Sequence, residues 1–162
     1  MAIQTLPEFY KIVDATAGCV TTNGGVTGQG ITTKGAQMVT LVLSFTQAQS
    51  HATVITMQEA LTVAGGSAKT LTNNAAIWSN LATATNDTLV RRTDATTYTL
   101  ATGAAKMQVV IQVNPAAMDN ANSFDCLIFT LSDSSQATNF VSGVWYLYQR
   151  YPQATPPTAV VD

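Results

Sequence analysis

Charge is what this sequence has least of. Seven Lys and Arg residues and nine Asp and Glu residues make up 10% of 162, with a formal net charge of -2, where an ordinary globular chain carries about 25%. Seven scattered cations cannot build the basic patch on which phosphate binding and counterion release depend, so nucleic acid is excluded as a partner. Histidine occurs once, at His51, which leaves nucleophilic hydrolysis almost without its usual base. With Cys19 and Cys126 it brings the Cys and His total to three, short of the four ligands of a structural zinc site. No metal or cofactor is expected. No apolar run approaches the roughly 20 residues that span a bilayer. The start MAIQTLPEFYK has neither the basic opening nor the apolar run of a signal peptide. No membrane contact is expected, and synthesis is expected in the cytoplasm. No stretch of about ten residues keeps a helical period of 3.6, so helix content should be low.

Thr, Ala, Gln, Asn and Ser stand where the charges would be. A free-standing protein stays dispersed by a coat of charges of both signs, and this chain lacks one. Short uncharged side chains lose little entropy and need little desolvation when they meet a partner, so an extensively contacted surface is the simplest reading. A Thr-rich secreted β-domain with a solvated surface has the same composition. The length suits one domain with a real core. Cys19 and Cys126 both sit among small and apolar neighbours and read as reduced core thiols. A disulfide would need their Cα atoms within roughly 7 Å.

The apolar pattern has the period of two that makes half-buried strands. From Met38 to Phe45, Val39, Leu41, Leu43 and Phe45 share one face, with Met38 and Val42 opposite. From Lys106 to Val113, Met107, Val109, Ile111 and Val113 alternate with polar residues until Asn114-Pro115 stops the ladder. Thr53 to Val63, the end of 71–78, Ser123 to Ser132 and Asn139 to Tyr151 read as further strands. Pieces at Glu8 to Val13, Leu89-Val90 and Tyr98 to Leu100 bring the number to about eight. The fold class is therefore all-β, a single jelly-roll-like β-sandwich. Residues 38–151 form its body. Residues 15–37, rich in Gly and Thr, read as a loop or arm, and residues 152–162, PQATPPTAVVD, as an extended proline-rich C-terminal arm.

Chemistry is hard to find in these residues. His51 falls in a polar turn and reads as solvated. Asp119 and Asp125 flank a turn and could face each other as an acid and base pair or hold calcium, but Asp and Asn more often shape turns through backbone bonds. Gly24 to Gly30 lacks the strand, helix and Lys-Ser/Thr of a phosphate loop. Trp78, Trp145, Tyr146, Tyr148 and Tyr151 could line a sugar-binding face. Alternation along 144–151, however, puts Trp145 and Leu147 on one side and Tyr146 and Tyr148 on the other, giving a core face and an interface face. Tyr146, Tyr148, Pro156, Pro157, Val160 and Val161 are the interface candidates, and no residue is a catalytic candidate.

The stretch VNPAAMDNANSFDCLIFTLSDSS, followed by NFVSGVWYLYQRYP, resembles small virion proteins of tailed bacteriophages encoded near the major capsid protein. The likeness covers roughly residues 107 to 151. It consists of the step from Pro115 to Met118-Asp119, the Phe124-Asp125 strand entry and an aromatic strand ending in Arg150-Tyr151; the N-terminal third is unmatched. The resemblance implies a capsid decoration, or cement, protein with no catalytic residues, held on the outer surface of the virion capsid. Its implied partners are the major capsid protein and copies of itself, with a trimer favoured. A tail-tube or head-tail subunit and a carbohydrate-binding β-sandwich module are the alternatives.

Overall fold

The computed structural model describes residues 5–100, 103, 105–151 and 158–161. Within them the strands in chain order are β1 (Tyr10–Asp14), β2 (Val20–Thr21), β3 (Val26–Thr27), β4 (Ile31–Thr32), β5 (Ala36–Gln47), β6 (Val54–Ala60), β7 (Lys69–Thr70), β8 (Ala76–Asn80), β9 (Val90–Arg91), β10 (Thr97–Thr99), β11 (Ala105–Val113), β12 (Cys126–Leu131) and β13 (Asn139–Gln149). Helix is confined to one four-residue turn, Leu6–Phe9, and two 3-10 turns at Pro115–Ala117 and Asn120–Asn122.

Two antiparallel sheets pack as a β-sandwich. The larger runs β1-β13-β5-β11-β8-β9, with β2 also on β13; the smaller runs β10-β6-β12-β3, with β4 on β12 and β7 on β6. The long strands carry the alternation read from the sequence. Val39, Leu41, Leu43 and Phe45 of β5 and Met107, Val109, Ile111 and Val113 of β11 all point inward and are buried. They meet Ile55 and Met57 of β6 and Leu127, Phe129 and Leu131 of β12 in one core. Burying each such side chain contributes about 1.5 to 3 kcal/mol.

The strand number exceeds the expected eight because five pairs, β2, β3, β4, β7 and β9, are two residues long. The segment 15–37 is also not an arm. Ile31 is fully buried, β3 and β4 pair with β12, and the Gln29 N–H donates to the Ala15 carbonyl at 2.8 Å, closing the gap between the sheets. Gly28 and Gly30 serve close approach, since a Cβ on Gly28 would fall 2.1 Å from the Phe129 ring and one on Gly30 2.1 Å from the Val63 carbonyl oxygen. Cys126 is buried as expected, but Cys19 is exposed, carried outward just after Gly18 turns the chain through a left-handed φ of 76°. They are not joined in a disulfide. At the far end, Ala159 is buried in the core and its carbonyl accepts from the Thr32 N–H at 2.8 Å. The tail is thus fastened to its own domain at this point.

Candidate functional site: the outer face of the larger sheet

Alternation that buries one set of side chains must present the other. Across the larger sheet the antiparallel registers align these outward residues in rows. One row reads Asp14, Val144, Val42, Val110, Trp78 and Arg91, from β1 through β13, β5, β11 and β8 to β9. The next reads Ile12, Tyr146, Thr40, Gln112 and Ala76. The three valines are half-buried and Ile12 is 44% exposed. In these two rows charge appears only at the ends of the first, and the outward Lys106 lies at the far end of β11 opposite Thr46, so the middle of the face needs little desolvation on contact.

An aromatic corner continues the face. Tyr10 lies opposite Tyr148, with ring centroids 5.4 Å apart, and meets Tyr146 edge-on at 6.4 Å, while Phe9 stacks on Tyr148. These rings fix one another, and each still shows part of its surface to solvent. Tyr146 and Tyr148 thus lie outward as the alternation requires, and Trp145 and Leu147 inward. Val160 and Val161 are 40% and 60% exposed beside buried Ala159; Pro156 and Pro157 lie outside the described residues.

The five aromatics do not form one sugar platform. Trp145 is fully buried, the Arg91 guanidinium covers the Trp78 ring at 4.5 Å, and Tyr151 stands 71% exposed beyond the end of β13. Between the β1 and β3 edges runs a groove of about 920 Å³ whose one charged lining residue among those described is Asp14.

The acidic residues are engaged separately. Asp125 pairs with Lys34 at 3.2 Å, whereas Asp119 takes Lys69 at 2.5 Å and two bonds from the Asn122 amide. Behind this lies Glu59, fully buried, accepting from the Thr72 hydroxyl at 2.6 Å and the Asp119 N–H at 3.0 Å, with Lys69 at 3.4 Å. Glu59 was a site the sequence could have disclosed, because it continues the inward series Ile55, Met57. Every carboxylate oxygen of this cluster has a donor, which makes it a clasp of β6, β7 and the 119–122 turn rather than an acid and base pair. His51 is half-buried rather than solvated, its Nδ1 enclosed without a hydrogen-bond partner among the described residues. Among the described residues no three His, Cys, Asp or Glu side chains gather as a metal site would require, and no helix is long and apolar enough to cross a membrane.

The clasp has a pH signature. The hydrogen bond from Lys69, followed by that from Asn122, holds the Asp119 carboxyl below its ordinary 3.8, and the bond to Asp119 raises Lys69 above its ordinary 10.5. A depressed carboxylate stabilises fully above 3.8 and loses that contribution as pH falls through its folded value; a raised lysine stabilises below 10.5 and loses it as pH rises through its folded value. Stability should therefore be flat between those limits with respect to this pair. Asp119→Asn should flatten the acid limb of a denaturation series; an acid limb unchanged in that variant would show the pair to be inert.

No family model matches this chain, and no curated protein does. Among solved structures it is similar to a non-crystalline-cellulose-specific carbohydrate-binding module, CBM28, with 13% identity over 73% of this chain and 59% of that one, at a TM-score of 0.29. The chain thus spans about three-fifths of that module's length. A likeness of that extent assigns no ligand here.

Proposed function

We propose that this chain is a non-enzymatic structural protein of a tailed-phage virion, which binds the outer capsid lattice and stabilises it by packing against the major capsid protein and copies of itself. The observation that carries the reading is the outer face of the larger sheet, where Ile12, Val42, Val144, Tyr146 and Tyr148 meet solvent on a chain with few charges to keep it dispersed. A face of that composition gains free energy by being covered. Aromatic anchors such as Tyr146 and Tyr148 are the residues that concentrate binding energy in protein interfaces. The likeness of residues 107–151 to phage virion proteins points the same way.

The test is co-sedimentation of the purified chain with expanded capsids that lack it. The wild-type chain should pellet with the capsids to saturation, and Tyr148→Ala should pellet less while keeping its fold. A chain that stays in the supernatant at every ratio would defeat the capsid reading.

A further inference from the structure

We infer that the outer face of the larger sheet pairs with the same face of a second copy about a two-fold axis. This rests on that face being a packing surface, and it names the occupant. The first row is self-complementary. It begins with Asp14 on β1, continues through Val144, Val42 and Val110, and ends with Trp78 and Arg91 on β8 and β9. A two-fold axis along the strands, passing between β5 and β11, lays each row over its own reverse.

That operation sets Asp14 against the second copy's Arg91, Val144 against Trp78 with its Arg91 cover, and Val42 against Val110. In the next row it sets the large Tyr146 against the small Ala76. Asp14 is exposed and has no side-chain partner among the described residues. Arg91 is 43% exposed and already bound to Asp94 and, through Nη1, to the Ile77 and Arg92 carbonyls, but a guanidinium has five donors and the remaining ones can serve a second carboxylate.

Sheets packed face to face stay within about 30° of alignment, which a long arginine can follow. Where the rows overlap, β5 on β11 matches nine residues, β13 on β8 five and β1 on β9 one, and at about 4.8 Å between strands and about 3.3 Å per residue the six strands present a projected face of roughly 500 Å² per partner. Side-chain relief adds to that projected figure and brings it toward the ~800 Å² per partner of standard interfaces. Because β8 begins at Ala76, opposite Tyr146, the Tyr10–Tyr148 corner overhangs the partner's sheet and stays open to another protein. The contact is isologous, a two-fold contact, where the phage resemblance implies a trimer.

Sedimentation equilibrium of the full chain tests this. Wild type should dimerise, and Asp14→Arg and Arg91→Glu should each raise the dissociation constant about tenfold, since each places two like-charge pairs in the contact. An equimolar mixture of the two variants should recover wild-type affinity, because the mixed dimer restores both opposite-charge pairs; a folding defect would not be repaired by mixing. A wild-type chain monomeric at all concentrations, variants that dimerise like wild type, or a mixture that stays weak would each overturn the pairing. A dimer that fails to pellet with capsids leaves the pairing standing and removes the capsid assignment; a monomer that does pellet has the opposite meaning.

Discussion

Trp145→Ala should cost the fold about 3 to 5 kcal/mol, the range for truncating a large buried aromatic. Trp145 is fully buried between the sheets, meets Phe129 edge-on at 5.9 Å, and donates its indole N–H to the Gln29 carbonyl at 2.9 Å. Truncation leaves a void that the closed core cannot fill and takes the indole donor from the Gln29 carbonyl. In a domain of this size each kcal/mol moves the thermal midpoint by roughly 2 to 4 °C, so the loss should be plain in thermal or urea unfolding. Tyr148→Ala, three residues along β13 and on the opposite face, should cost about 1 kcal/mol. Equal midpoints for the two variants would contradict the assignment of faces.

Gly30→Ala should be nearly as damaging although it adds one methyl group. A Cβ at Gly30 would lie 2.1 Å from the Val63 carbonyl oxygen and 3.0 Å from its carbon. Those are backbone atoms that cannot swing aside as a flexible side chain would. Overpacking typically costs 1 to 3 kcal/mol, and about 3 kcal/mol is expected here. Gly103→Ala, with nothing within 4 Å of its added Cβ, should change stability by no more than about 0.5 kcal/mol. If 15–37 were a detached arm, both variants would be equally silent in unfolding; a silent Gly30→Ala would show that the segment does not close the sandwich.

The strands legible in the sequence are the ones whose burial has a period. β5, β11 and β13 each bury one face along nine or more residues, so their apolar residues fall at alternate positions, and the outward placement of Tyr146 and Tyr148 follows from the same count. The two-residue strands have no period to read. β3 and β4 exist because β12 offers them a ladder, and Gly28 and Gly30 let the chain come close enough to use it. Glycine content read alone pointed to a loop or arm, whereas Gly28 and Gly30 mark tight packing. Cys19 was misplaced for a related reason: its small neighbours are those of a surface turn as well as of a core. The row from Asp14 to Arg91 could not be seen in the sequence at all, since it joins six strands through registers that only the folded sheet defines.

The central claim is that this protein is an external part of a capsid, and cryo-EM of intact virions tests it most directly. The expected result is density matching this β-sandwich on the outside of the capsid shell, present in wild-type particles and missing from particles made without the gene. Density for the chain in the tail, in the head-tail connector or nowhere on the particle would contradict it.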